Sequence, residues 1–316
     1  MVSTAMVLAA GRGERMRPLS DVVPKPALPL TDRPVIASPL ALAASAGARR
    51  AVVNTWHLAG VMETELGTID PGIEIAVSRE PELMGTAGGI ALARDRGLLG
   101  DRGPVLVING DGVLNLDLAP LQDRMTGSND LVTLALLPHL DPGRWSRVAL
   151  DGTGAVCRIS EPGVPGLGEV PLLYPGAMLV SREALNELDT GVGDIPTRLW
   201  HPALVGGRLG GVVVSGHWRE VGTPEDYLEA VMTRLNGGTV IHPSASVDPS
   251  SSTQSAVIGR DARIGPGSVV RESVVARGAT VGPSCRVRGS VLLGAVETDA
   301  GEDITGVFRA VCPNQT

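Results

Sequence analysis

Aromatic side chains are nearly missing from this chain, with four tryptophans, two tyrosines and one phenylalanine among 316 residues. Its core must therefore be filled by Val, Leu, Ile and Ala. Positive charge is also in deficit. A net charge of -7 argues against a nucleic-acid or anionic-membrane surface, although a local basic site is compatible with it. Cysteine is scarce: Cys157, Cys285 and Cys312 are odd in number and far apart, so neither a disulfide framework nor a zinc spacing can be built from them. His57, His139, His201, His217 and His242 show no i,i+4 pairing and read as structural or surface residues. No apolar run approaches the ~20 residues of a membrane span. The N-terminus lacks a basic stretch ahead of its short apolar run, and that run is better used as a strand. Together these absences predict a reduced, cytoplasmic protein with no membrane or nucleic-acid partner. Glycine and proline are abundant, at 41 and 24, which predicts many turns. The length suits one large domain or two of ordinary size.

The chain is organised around Met6 to Leu30, MVLAAGRGERMRPLSDVVPKPALPL. An apolar run, Ala5 to Ala10, breaks into Gly11-Arg12-Gly13, as a buried first strand does on leaving a parallel sheet. Glycines let the backbone bend sharply and expose a row of N–H groups, a cradle for phosphate. Arg12, Arg15, Arg17 and Lys25 concentrate positive charge just beyond. The pattern is neither the dinucleotide fingerprint, because Met16 stands where its third glycine would be, nor a P-loop, because no Gly-Lys-Ser/Thr follows. It predicts a polyphosphate site at the carboxyl end of the first strand. An ordinary strand-to-loop turn with solvated arginines is the alternative.

Further along, Val35 to Ala48 reads as a helix, Ala51 to Asn54 as a short buried strand and Val61 to Leu66 as part of a second helix. Gly85-Thr86-Ala87-Gly88-Gly89 leads into a helix ending near Leu99, with Thr86 a candidate cap. Val105 to Ile108 is a β-branched buried strand ending in Asn109-Gly110-Asp111. Strands alternating with helices at this spacing predict a doubly wound α/β fold with a mostly parallel sheet. Leu131 to Leu137, Arg147 to Leu150 and Val156 to Ile159 are later strands.

LAAGRGERMRPLSDVVPKP resembles the signature of the sugar-1-phosphate nucleotidyltransferases, G-x-G-x-R-[LM]-x-P-L-[ST]-x(n)-P-K-P. The downstream segments agree in order. Leu-Met-Gly-Thr-Ala-Gly resembles the family's nucleobase loop. Asn109-Gly110-Asp111 with Asp117-Leu118 resembles its metal motif, and Trp218 to Leu228 resembles Trp-x-Asp-[IV]-Gly-Thr-Pro-x-x-Tyr-Leu. The resemblance implies a Rossmann-like domain over 1–236 that joins a nucleoside triphosphate to a sugar 1-phosphate. It implies Arg15 on the β- and γ-phosphates and Lys25 on the α-phosphate. Leu8, Ala10, Gly11, Gly13, Gly85, Thr86 and Gly110 become nucleotide contacts, and Glu80 or Glu82 would accept N–H bonds from the base. Glu161 and Gly176 fall on the sugar-phosphate side, and Asp111 and Glu220 would hold Mg²⁺. Two departures stand out. Pro162 follows Glu161 where the family has a lysine, leaving Arg144, Arg147 or Arg158 to supply that charge. Glu220 replaces the family's aspartate, a side chain one methylene longer at an ion that demands near-ideal octahedral geometry. The architecture resembles mannose-1-phosphate guanylyltransferases, whereas the signature segment resembles N-acetylmuramate-1-phosphate uridylyltransferases even more. Family members that bind nucleotide-sugar and regulate an active partner form a further class.

From Val240 short segments opening on Val or Ile recur every six residues: Ile258, Ile264 and Val270, then Val275, Val281, Val287 and Leu293 after a one-residue slip. A six-residue aliphatic repeat marks a parallel β-helix, and resemblance to hexapeptide-repeat proteins makes it left-handed. The reading is a short β-helix over 240–305, with turns of about eighteen residues, and a tail at 306–316. A homo-oligomer assembled through the β-helix is the expected arrangement. Acyl transfer by the repeat domain is a weaker reading, since the domain is too short and no catalytic histidine stands among its turns.

Overall fold

Buried aliphatic strands set the architecture. In the computed structural model, which describes residues 2–139, 141, 143–164 and 170–312, the chain divides into two units. One holds the chain up to Gly11, Ile36–Ala59 and Asp70–Arg219; the other holds Arg12–Val35, Gly60–Ile69 and the chain from Glu220 onward.

The first unit is built on β1 (Thr4–Leu8), whose five residues are all buried. It lies between β2 (Arg50–Thr55) and β4 (Val105–Asn109), with Met6 in register with Val52 on one side and Val107 on the other. Strands buried on both faces are continuous aliphatic runs for this reason. β3 (Glu74–Arg79) is the half-exposed edge strand beyond β2, parallel to it. α1 (Ala37–Ser45) and α3 (Gly85–Asp95) belong to this unit, whereas α2 (Ala59–Leu66), between β2 and β3 in the chain, falls almost entirely in the second.

Beyond β4 the sheet becomes mixed. β10 (Ala177–Val180) runs antiparallel to both β4 and β6 (Val132–Pro138), and β11 (Leu209–Val213) returns parallel to β6. β7 (Arg147–Leu150), β8 (Val156–Ser160) and β9 (Leu172–Leu173) extend that half as antiparallel strands. β5 (Gly112–Leu116) pairs with β12 (Gly216–Glu220) in a separate ribbon. α4 (Ala119–Gly127), α5 (Arg182–Glu187) and α6 (His201–Val205) complete the unit. α5 is capped by Ser181, the Ala184 N–H donating to its Oγ at 3.1 Å.

In the second unit the basic segment after Gly11 forms three single 3₁₀ turns, Glu14–Met16, Leu19–Asp21 and Lys25–Ala27. Met16, Leu19 and Leu28 are fully buried. α7 (Pro224–Leu235) opens on a capping box in which Thr223 and Asp226 each bond the other's backbone N–H.

The parallel C-terminal strands fit a left-handed β-helix. Val240, Val257, Val274, Val291 and Phe308 stack in register, so each coil takes 17 residues rather than eighteen. That shortfall is the slip seen in the repeat. It also corrects the register: Val275 pairs with Leu292, which enters the core, while Leu293 turns outward. The expected tail is corrected too. Phe308–Val311 pairs in parallel with Val291–Gly294 and adds a fifth strand to that face. The reason is local: this segment repeats the strand one coil earlier, so its backbone groups find the same ladder. The Leu19–Asp21 turn lies against this last strand.

Candidate active site

The carboxyl ends of β1 and β4 lie side by side. Leu8 is in register with Asn109, and the Gly110 N–H donates to the Leu8 carbonyl at 2.8 Å. The first unit therefore places Leu8 beside Gly110, with Ala10, Gly11 and Asp111 following them at the same, carboxyl end of these central strands. The surroundings of Gly11 are open: a Cβ there would meet nothing within 4 Å. Gly176 supports the same edge. Its φ is 97° and its carbonyl accepts from the Asn109 N–H at 2.8 Å. A Cβ at Gly176 would run into the Asn109 side chain at about 3 Å, so only glycine permits this approach.

The base-loop segment is held by a buried clasp. Glu80, 5% exposed, accepts from Asn54 Nδ2 at 2.7 Å through one oxygen and from the Met84 N–H at 2.9 Å through the other. Asn54 Oδ1 accepts in turn from the Ala9 N–H at 2.8 Å. One carboxylate thus ties the end of β1 to the end of β2 and to the start of α3. Burial pushes the Glu80 carboxyl above its ordinary value, outweighing the two hydrogen bonds and the attraction of Arg96. Both Glu80 oxygens are engaged inside the protein, whereas Glu82 is exposed. Sequence reading missed the clasp. Its signal was Asn54, a polar residue ending an otherwise apolar buried strand.

Gly85 opens α3, and the Gly193 carbonyl accepts from the Ala87 and Gly88 N–H groups at 2.9 and 3.2 Å. Thr86 is not the helix cap. It lies within the first turn, and its hydroxyl accepts from the Ile195 N–H at 2.9 Å. Glu161 is exposed just past β8. Of the arginines weighed to replace the missing lysine, Arg144 is exposed and lies 4.8 Å over the Trp145 ring, while Arg147 and Arg158 lie on the paired strands β7 and β8. Tyr174, beside Gly176, meets Trp200 edge-on at 4.9 Å, and its buried hydroxyl has no hydrogen-bond partner among the described residues.

The second unit carries the charged residues of the signature. Gly13 is left-handed at φ 64°, and its carbonyl accepts from Ser20 Oγ and the Met16 N–H, both at 2.8 Å. A Cβ there would stand 3.2 Å from Ser20 and 3.5 Å from Lys25, so the turn closes tightly. Lys25 is 8% exposed between Pro24 and Pro26, whose rings fix the backbone on either side. The fully buried Tyr227 of α7 braces the following loop, donating its hydroxyl to the Pro29 carbonyl at 2.6 Å. Arg15 is largely exposed and pairs with Glu220 at 3.2 Å. Such a pair is worth only about 0–1 kcal/mol, so the guanidinium is readily exchanged to a stronger anion such as phosphate.

No group of three or more His, Cys, Asp or Glu side chains with metal-holding geometry occurs among the described residues. Mg²⁺ does not require one, since it is usually held by one or two carboxylates and by substrate phosphates. As hard oxygen donors, Asp111 and Glu220 fit that ion. Among the described residues no helix is long and apolar enough to cross a membrane.

Comparison with known proteins agrees with this arrangement. Residues 4–237 match the family model for nucleotidyl transferase. The chain is similar to a mannose-1-phosphate guanylyltransferase of Mycobacterium tuberculosis, at 30% identity over 81% of this chain and 75% of that protein. It is similar at 26% identity to a mannose-1-phosphate guanylyltransferase catalytic subunit beta of Danio rerio, over 81% of this chain and 73% of that one. A mannose-1-phosphate guanylyltransferase 1 of Arabidopsis thaliana matches at 26% over 73% of this chain and 64% of its own length. The matched span runs from β1 to the residues just past α7, and with it the chain belongs to the nucleotidyl transferase family of enzymes.

Proposed function

We propose that this protein condenses a nucleoside triphosphate with a sugar 1-phosphate, giving a nucleoside-diphosphate sugar and pyrophosphate. GTP with mannose 1-phosphate, or a closely related sugar phosphate, is the proposed pair. The supporting observation is the carboxyl end of the first unit's central strands, where Leu8 is in register with Asn109, so that the open turn at Gly11 follows β1 and Asp111 follows β4 at the same end of the sheet. The relatives named above favour guanine, and so does exposed Glu82, whose carboxylate suits the paired N1–H and N2–H donors of that base.

In the proposed reaction the sugar-phosphate oxygen attacks the α-phosphorus in line as pyrophosphate leaves. Positioning and charge neutralisation carry such a transfer. Lys25, fixed by its two prolines, holds charge developing on the α-phosphoryl group. Arg15 exchanges Glu220 for the departing β- and γ-phosphates. Backbone N–H groups around Gly11, Gly13 and Gly85 cradle the nucleotide, with Leu8, Ala10, Thr86 and Gly110 lining it, while the Glu80 clasp keeps the base loop in place. Glu161 and Gly176 face the acceptor. Asp111 and Glu220 would hold Mg²⁺, which when bound would supply neutralisation of phosphate charge during the transfer.

Pyrophosphate release with Mg²⁺, scanned over GTP, UTP, dTTP, ATP and CTP against a panel of sugar 1-phosphates, tests the proposal. Turnover of one pair, lost in Lys25→Ala and Asp111→Ala, is expected. Turnover with UTP or dTTP alone would replace the guanine assignment. Pro162 in place of the family's lysine favours a second reading, a regulatory nucleotide-sugar binder. Silence across the panel with nucleotide-sugar binding retained in calorimetry would select it. A cytoplasmic homo-oligomer joined through the β-helix is also proposed, and a monomer mass for the full chain in light scattering would overturn the assembly.

A further inference from the structure

A cavity of about 220 Å³ opens within the second unit, between the loop that follows Lys25 and the first coils of the β-helix. Its floor is aliphatic, with Ala27 and Pro29 from the loop and Ile258 and Leu293 from the coils. Leu293 is the informative residue. It points away from the β-helix core, yet it is only 2% exposed, because it faces this cavity.

The lining also carries three cations, Arg33, Arg260 and Arg277, against two carboxylates, Asp32 and Glu65, an excess of one positive charge. Arg260 and Arg277 occupy the same corner of successive coils, where the Gly278 N–H donates to the Arg260 carbonyl at 3.0 Å. Their backbones are therefore separated by about one strand spacing, ~4.8 Å, and like charges stacked at that spacing repel. Neighbouring carboxylates answer this charge weakly. Glu65 stands 3.7 Å from Arg277 and Asp32 stands 3.9 Å from Arg33, both beyond hydrogen-bond length. No side-chain partner of Arg260 occurs among the described residues. Ala27 also belongs to the same 3₁₀ turn as Lys25, so a molecule resting on this floor rests on the back of that turn.

We propose that this cavity is a second binding site, separate from the nucleotide site, for a small organic phosphate. The phosphate bridges Arg260 and Arg277, and a compact carbon skeleton lies on Ala27, Pro29, Ile258 and Leu293. Its volume of about 220 Å³ suits a ligand smaller than a nucleotide, since pockets for drug-sized ligands run from about 300 Å³ upward. Occupancy steadies the Lys25 turn and thereby changes nucleotide affinity, a consequence that rests on the role proposed above for Lys25.

Phenyl phosphate, which joins the two chemistries, is the probe. Calorimetry on the full chain should show one site that persists when Mg²⁺-GTP is present and in Lys25→Gln. Arg260→Gln and Arg277→Gln should each weaken it about tenfold or more, the loss expected for a charge-assisted bond, and Arg260→Lys should restore part of it. Inorganic phosphate, lacking the apolar body, should bind more weakly. Thermal melts of the two glutamine variants should not fall, because each removes a repulsion. By linkage, saturating phenyl phosphate should shift GTP affinity about fivefold, and that shift should vanish in Arg260→Gln. Binding that competes with GTP, disappears in Lys25→Gln and ignores Arg260→Gln would place the probe at the nucleotide site and overturn the proposal. No heat and no thermal shift up to about 10 mM, a ceiling equivalent to only a few kcal/mol, would overturn it as well. Binding is read without turnover, so failure of the catalytic reading leaves this result standing.

Discussion

Replacing Glu80 with glutamine changes one oxygen to an amide nitrogen and is almost isosteric, yet the clasp leaves no tolerable orientation for it. Both Glu80 oxygens face donors, Asn54 Nδ2 at 2.7 Å and the Met84 N–H at 2.9 Å. Whichever way the new amide turns, its NH₂ meets an N–H. Asn54 cannot flip to relieve this, because its Oδ1 is committed to the Ala9 N–H at 2.8 Å. One hydrogen bond to a charged acceptor is lost and one buried donor is orphaned, which costs about 2–3 kcal/mol together. Glu80→Ala removes both acceptors and should cost about 4 kcal/mol. Urea melts followed by circular dichroism give the stability. Because the clasp sets the base loop, the KM for nucleotide in the pyrophosphate assay should rise about tenfold with a smaller change in kcat, the signature of lost uniform binding. A Glu80→Gln protein within about 0.5 kcal/mol of wild type, the range of an ordinary surface substitution, with an unchanged KM, would refute this account of the clasp.

The same residue gives a pH dependence. Burial raises the folded-state value of Glu80 above its ordinary value of 4.5, so the folded protein keeps this proton to higher pH than the unfolded chain does. Its contribution to stability is therefore fullest below that ordinary value and declines as pH rises through the raised one; Glu80→Gln should lack this slope in melts across the acid range. Lys25→Ala and Asp111→Ala should each slow pyrophosphate release by about 100-fold or more while keeping the native circular dichroism spectrum, and near-normal rates in either would remove that residue from the proposed chemistry. Tyr227→Phe deletes the 2.6 Å bond to the Pro29 carbonyl from a buried site. It should cost about 1–2 kcal/mol and raise the KM for nucleotide, since the braced loop continues from Lys25; an unchanged melting temperature would show that the hydroxyl contributes nothing.

The parallel half of the sheet was legible because burial on both faces forces unbroken aliphatic runs, and Ala5 to Leu8, Ala51 to Val53 and Val105 to Ile108 are such runs. The mixed half was not. Nothing in Ala177–Val180 distinguishes an antiparallel neighbour of β4 from a parallel one, because a strand inside a sheet buries the same residues in either direction. The β-helix showed its period through Ile258, Ile264 and Val270, but its register depends on coil length. A 17-residue coil puts Leu292 rather than Leu293 beneath Val275, and adjacent leucines carry no mark of which faces inward.

The site divides along a similar line. Residues whose place depends on backbone shape, such as Gly11, Gly13, Gly85, Gly110 and Gly176, stand at fixed offsets within a motif and can be read from sequence. Residues that act by holding others are ordinary types at ordinary positions. Asn54 and Tyr227 each bond a backbone group far along the chain, at Ala9 and Pro29, and Ser20 closes a seven-residue loop onto Gly13. Only the folded chain brings those pairs together. Glu80 belongs to the second group: the resemblance offered Glu80 or Glu82 as a base contact, and in the folded chain both Glu80 oxygens hold Asn54 and Met84. A carboxylate near a base loop suggests contact with the base, but a buried carboxylate with both oxygens engaged shapes the loop instead. In the proposed function direct recognition falls to exposed Glu82. On this argument, nucleotide choice should follow substitutions at Glu82, while substitutions at Glu80 should weaken all nucleotides alike.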